Sequence, residues 1–154
     1  MSDSRGQNAV SDRPQRERRR SYKASCAITT RWMDNDVYGH VNNAVYYSYF
    51  DTAVNSYLIK AGFLDYGAGD VIGVVAETQC SYFAPIAFPD QVTAGLRVER
   101  IGRSSVRYAI GLFRNTDEMA AAQGYFIHVY VDRVSSRPVA LPQSLLHALA
   151  SLVI

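Results

Sequence analysis

Cysteine is scarce in this 154-residue chain, with Cys26 and Cys80 the two present. Each sits inside a strand-like stretch with no metal-ligand spacing around it. That argues against a zinc centre and implies no disulfide, leaving two small buried hydrophobes. Long apolar runs are missing as well. No stretch is apolar for long enough to span a bilayer, and the N-terminus lacks the apolar core of a secretion signal, so a cytoplasmic protein is expected. A net charge of one sign is also absent from the body of the chain. The formal net charge is +2, but residues 1–20 hold Arg5, Arg13, Arg16, Arg18, Arg19 and Arg20 against Asp3, Asp12 and Glu17. That segment carries +3 and the remainder −1. A near-neutral body has no nucleic-acid footprint. Residues 1–22 read as a solvated, disordered basic tail ahead of one domain at 23–154, and the three acids argue against a mitochondrial import leader.

What is present is an apolar content of 48%, enough for a globular core, and 11 tyrosines. Tyrosine pairs an apolar ring with a polar tip and suits half-buried faces and clefts. Residues 23–32 alternate, with Ala24, Cys26, Ile28, Thr30 and Trp32 on one face, and predict a half-buried strand. A polar loop follows. Residues 43–61 then predict a helix, with Tyr46, Tyr49, Phe50, Ala53, Tyr57 and Ala61 at helical spacing and Gly62 at the C-terminal turn position. Val45, Tyr47, Val54, Leu58 and Ile59 widen its apolar surface, as expected of an enclosed helix. The remainder predicts strands at 71–82, 91–101, 105–114 and 120–132. The last of these aligns Tyr125, Ile127, Val129 and Val131. A short helix opens at Pro142 and carries Leu145, Leu146 and Leu149. One strand, one long helix and a succession of antiparallel strands predict an α+β domain in which a curved sheet wraps the helix.

Chemistry-bearing residues concentrate in the loop before that helix: Asp34, Asp36, Gly39, His40, Asn42 and Asn43. The first turn of a helix presents unpaired N–H groups and the positive end of the dipole, which stabilise an anion or a developing oxyanion. A carboxylate on the preceding loop can act on the same carbonyl as base or nucleophile. Gly39 permits a sharp turn. The plainer reading has Asp34 and Asp36 as turn formers, Asn42 or Asn43 as the helix cap and His40 as a structural residue. An Asp-x-Asp pair without further ligands is weak grounds for a metal.

The run Asp34-x-Asp36-x-x-Gly39-His40-x-Asn42-Asn43-x-x-Tyr46, with Tyr49-Phe50-Asp51 after it, resembles the signature of the hotdog-fold acyl-CoA thioesterases of the 4-hydroxybenzoyl-CoA thioesterase-like family. Tyr82-Phe83-Ala84-Pro85 with Asp90, the turn Arg100-Ile101-Gly102-Arg103-Ser104-Ser105, and Arg137-Pro138 extend the resemblance over residues 23–149. It implies a hotdog fold and hydrolysis of an acyl- or aryl-CoA to free acid and CoA. Asp36 takes the catalytic carboxylate position, and the Asn43 backbone N–H polarises the carbonyl. Gly39 takes the tight-turn position, and His40 orients the loop or a water. Arg103, Ser104 and Ser105 are the expected contacts for the coenzyme A nucleotide end. Asp51 matches an acidic position with a supporting role. The resemblance further implies homodimers or homotetramers with sites at subunit interfaces, and no metal or redox cofactor, coenzyme A entering as part of the substrate. Whether Asp36 attacks directly or activates a water stays open. Hotdog domains also serve as hydratases or dehydratases and as acyl-binding modules without turnover. The dehydratase reading expects a His and an acidic residue placed otherwise than here, and the presence of Asp36 favours an enzyme over a binding module.

Overall fold

In the computed structural model, residues 13–64 and 69–154 are described. Five strands, β1 Ala24–Thr29, β2 Val71–Tyr82, β3 Gln91–Ile101, β4 Ser105–Arg114 and β5 Ala122–Asp132, form one antiparallel sheet in the order β1-β3-β4-β5-β2. The helix α1, Val45–Lys60, packs on one face of it, and α2, Gln143–Leu149, closes the core by burying Leu145 and Leu149. No helix among the described residues is long and apolar enough to cross a membrane.

The core follows from two periodicities. Helical spacing brings Tyr46, Tyr49, Phe50, Ala53, Val54 and Leu58 to the sheet. Strand alternation answers with Val92, Ala94, Leu96 and Val98 on β3, and with Val106, Tyr108, Ile110 and Leu112 on β4. Phe50 and Val54 are fully enclosed, and burying such a side chain contributes about 1.5–3 kcal/mol. α1 ends where the Gly62 N–H donates to Ile59 O and the Phe63 N–H to Leu58 O, with Gly62 at φ +77°. This closing pattern satisfies carbonyls that the last turn leaves without partners.

The strands expected at 71–82, 91–101 and 105–114 have the observed bounds. The first strand is shorter than alternation predicts. It ends at Thr29, and Trp32 lies in a 3-10 turn, Trp32–Asp34, 82% exposed rather than on the core face. The turn wins because the Asp34 side chain draws the backbone back to Arg31. β5 begins at Ala122, and its inward residues are Phe126, His128 and Tyr130. The aligned set Tyr125, Ile127, Val129 and Val131 lies on the other face, the first three half-buried and Val131 buried, both faces being apolar enough for alternation to leave the choice open.

The disordered tail expected through residue 22 is corrected over residues 13–22; residues 1–12 lie outside the described residues. Residues 13–22 form a strap across the outer face of the sheet. Arg19 donates to the carbonyls of Asp117 and Asn115, both at 2.7 Å, and Arg16 to that of Ala120 at 2.7 Å. The Glu17 N–H donates to Gln123 Oε1, and Gln123 Nε2 returns a bond to Gln15 O. The arginines thus satisfy turn carbonyls at the ends of β4 and β5 instead of remaining in water. Tyr22 anchors the strap over Gly95 and Gly111, which face each other across β3 and β4. A methyl group on either glycine would come within 2.7 or 2.6 Å of its ring.

Candidate active site

The loop that precedes α1 is folded around a buried carboxylate. Asp34 is 1% exposed and accepts from Tyr49 Oη at 2.7 Å and from the Arg31 N–H at 2.9 Å. The Arg31 guanidinium reaches its other oxygen at 3.0 Å. Burial alone would raise the Asp34 carboxyl, but the bonds from Tyr49 and Arg31 outweigh it and hold the group below the usual carboxylate range. Burial, reinforced by that carboxylate, pushes the Tyr49 phenol far up. Asp34 also accepts the Asn42 N–H on its backbone oxygen at 2.9 Å. The start of the loop, its end and the helix are therefore fastened at one residue.

Asp36 stands at the mouth of this loop. Its N–H donates to His40 O at 2.9 Å and its carbonyl accepts the Gly39 N–H at 3.0 Å, closing a turn that needs Gly39 at φ +80°. One carboxylate oxygen, Oδ1, accepts the Tyr38 N–H at 2.9 Å. The other, Oδ2, has no donor among the described residues, so the carboxylate is oriented through one oxygen and open at the other. His40 is exposed and serves the turn through its backbone carbonyl; its imidazole makes no bond among the described residues.

At the helix start, the Ala44 and Val45 N–H groups are engaged by the side chain and the carbonyl of Asn42, both at 2.9 Å. Asn42 is thus the residue that caps the turn. The Asn43 N–H has no acceptor among the described residues. Its carbonyl, in contrast, is held by Tyr82 Oη at 2.6 Å. The loop thus carries a carboxylate with one open oxygen, at Asp36, and runs on to an unengaged N–H at the helix start, at Asn43.

Arg103, Ser104 and Ser105 are not part of that cluster within one protomer. They form the β3–β4 hairpin, where Ser104 O accepts the Tyr130 N–H and Arg103 O the Leu141 N–H. β5 serves as a ruler: Tyr82, which touches Asn43, pairs with Ala122, whereas Ser105 pairs with Val129. Seven residues of strand separate the two positions, roughly 23 Å. Asp51 is exposed on α1, where its carboxylate accepts from Asn55 Nδ2 at 2.8 Å. Among the described residues no group of three His, Cys, Asp or Glu is arranged to hold a metal ion.

Three polar residues escaped sequence reasoning: the buried Tyr49 and His128 and the half-buried Tyr82. The signal for Tyr49 was its place on the buried stripe of α1, since a buried phenol needs a partner. His128 is 2% exposed, packs edge-on against Tyr108, Phe126 and Tyr130, and leaves Nδ1 without a hydrogen bond. Burial lowers its imidazole to about 4.

The antiparallel sheet wrapped on one long helix, with an acidic loop leading into that helix, defines a hotdog-type thioesterase scaffold. A family model described as the thioesterase-like superfamily matches residues 30–149, and the chain belongs to that superfamily. The crystal structure of the PA5185 protein of Pseudomonas aeruginosa PAO1 is 55% identical and superposes with a TM-score of 0.88, covering 90% of this chain and 97% of that one. A thioesterase from Thermus thermophilus, solved in complex with coenzyme A and Zn, is 32% identical with a TM-score of 0.71, covering 85% and 95%. The YsmA protein of Bacillus subtilis is 24% identical over 132 residues, 86% of this chain and 88% of its own length.

Proposed function

We propose that the chain hydrolyses acyl-CoA thioesters, with Asp36 as nucleophile or general base and the Asn43 N–H polarising the carbonyl. The observation that carries this reading is the Asp36 carboxylate, tied back through Oδ1 and open at Oδ2, on the loop that delivers the chain to the helix N-terminus. The thioester oxygen sits at the Asn43 N–H, where one oriented donor and the helix dipole lower the barrier by about 3 kcal/mol. Asp36 either adds to the carbonyl carbon, giving a mixed anhydride that water opens, or takes a proton from the water that adds. In both routes the C–S bond breaks, the thiolate leaves and takes up a proton, and the free acid remains. A thiolate is a good leaving group, so no strong general acid is required.

Coenzyme A is the expected carrier, in line with the complex of the 32%-identical Thermus relative. Its nucleotide end needs cations that the Asp36 loop does not supply. β2 is an edge strand on which Val74 and Val75 are 47% and 43% exposed, a surface that invites pairing. Antiparallel pairing of two copies along β2 sets the Val71 end of one strand beside the Tyr82 end of the other. Next come the partner's β5 and β4, so its 103–105 hairpin arrives at the Asn43 end about three strand spacings away, roughly 14 Å. In such a homodimer Arg103, Ser104 and Ser105 of one copy serve the Asp36 and Asn43 of the other.

The test is steady-state release of free thiol from short, long and aromatic acyl-CoAs, with the oligomeric state measured on the same preparation. Thiol release from at least one class by a dimer or tetramer is expected. No release from any class would overturn the hydrolase reading, and an active monomer would overturn the shared site.

A further inference from the structure

The Asn43 residue is held by a tyrosine from a different element, and that element is held in turn by the arginine-rich strap. Tyr82, the last residue of β2, donates its hydroxyl to Asn43 O at 2.6 Å. Its ring stands edge-on to Tyr46 at 4.9 Å, wedged against the buried stripe of α1. Burial pushes its phenol well up, so it stays a donor at neutral pH. The Phe83 N–H pairs inward with Ala121 O at 2.8 Å, and alternation along an antiparallel strand therefore turns the Tyr82 carbonyl to the free edge of β2. There the Arg13 guanidinium donates to it. The same guanidinium lies over the Phe83 ring, 4.7 Å from its centroid, with that of Arg16 at 6.0 Å. Arg16 is itself fixed to Ala120 O at 2.7 Å. A continuous series of contacts thus runs from the strap through the end of β2 to the helix start.

We infer that Tyr82 is a positioning residue for thioester cleavage, and that Arg13 and Arg16 of the N-terminal strap act on the reaction through it. The inference rests on the hydrolase reading above. The Asn43 N–H stabilises an oxyanion only if it is aimed at the oxygen. The Tyr82 hydroxyl, bonded to the carbonyl of the same residue, fixes that aim, and the strap fixes Tyr82. This gives the basic segment a function in the site rather than that of a solvated tail. It also places the strap's end at the last residue of the β2 edge, leaving the rest of that edge for a partner strand.

The experiment compares kcat, KM and unfolding midpoint for the full-length wild type, Tyr82→Phe, Arg13→Ala/Arg16→Ala, the triple variant and Asp36→Asn on one acyl-CoA. A misplacement of about 1 Å at a reacting centre costs on the order of a hundredfold. Tyr82→Phe is expected to lower kcat by about 10- to 100-fold, with KM within about twofold. The arginine pair is expected to lower kcat by about tenfold, and the triple variant to fall no further than Tyr82→Phe, since the three residues act as one unit. Arg13→Ala alone, which keeps the Arg16 anchor, carries the same test should the double variant unfold. A Tyr82→Phe kcat within about twofold of wild type, or losses that multiply in the triple variant, would overturn the inference. Inactive Asp36→Asn beside fully active Tyr82→Phe refutes this inference alone; active Asp36→Asn removes the hydrolase mechanism beneath it.

Discussion

Replacing Tyr49 with Phe removes one oxygen from the molecule and should be felt in both stability and pH response. The Tyr49 hydroxyl is a short donor, 2.7 Å, to a carboxylate that is 1% exposed. A hydrogen bond to a charged group contributes about 1.5–3 kcal/mol, and the variant also leaves a buried carboxylate oxygen short of a partner. For a chain of this length about 2 kcal/mol corresponds to a fall in Tm of roughly 4–8 °C. The Asp34 carboxyl titrates below its ordinary 3.8 in the folded protein. Its bonds therefore stabilise fully above that ordinary value, and the stabilisation is lost as pH falls through the folded-state value. Thermal unfolding followed by circular dichroism at neutral pH and near pH 3 should show the gap between wild type and Tyr49→Phe narrowing in acid. A Tm difference under about 1 °C at neutral pH, or a gap that widens in acid, would refute the assignment of Asp34 as a buried, charged anchor.

Three further outcomes follow from the packing. Gly39→Ala puts a side chain at φ +80° and is expected to cost about 1 kcal/mol of stability and to slow thioester turnover; unchanged kcat and Tm would show that the turn tolerates other backbones. Gly95→Ala brings a methyl group within 2.7 Å of the Tyr22 ring, so the strap should lift and trypsin should cut among Arg16, Arg18, Arg19 and Arg20 at least several-fold faster than in wild type. His128 is buried neutral, with an imidazole near 4 against an ordinary 6.5. The unfolded chain then takes up the proton first, and stability falls as pH drops from about 6.5 toward 4, by up to about 3 kcal/mol. His128→Phe, which suits its aromatic neighbours, should flatten the Tm-against-pH curve over that window.

Much of this architecture was legible in the sequence because its elements are locally consistent. β3 and β4 alternate cleanly between turn-forming residues, and α1 carries a stripe that ends at a glycine. The acidic loop was legible too, as a cluster of polar residues placed where a helix begins. What local pattern does not encode is which distant group a side chain meets. The strap docks because Gly95 and Gly111, far along the chain, leave room for Tyr22, so its arginine content read as a solvated tail. Asp34 read as a turn former because its partner Tyr49 lies beyond the loop reversal. The hairpin at 103–105 was correctly placed as a turn, yet its distance from Asn43 emerges only from the strand register. The inward face of β5 was ambiguous because Tyr125, Ile127 and Val129 are as apolar as the residues that fill the core.

The proposed hydrolysis turns on one carboxylate. Turnover of the best acyl-CoA substrate by wild type, Asp36→Ala and Asp36→Asn, each with its Tm, tests it most directly. Both variants are expected to keep a folded Tm and to lose at least about a hundredfold in kcat, as the role proposed for the open oxygen of Asp36, on the carbonyl or on the attacking water, requires. Folded variants that turn over as fast as wild type would contradict a mechanism centred on Asp36.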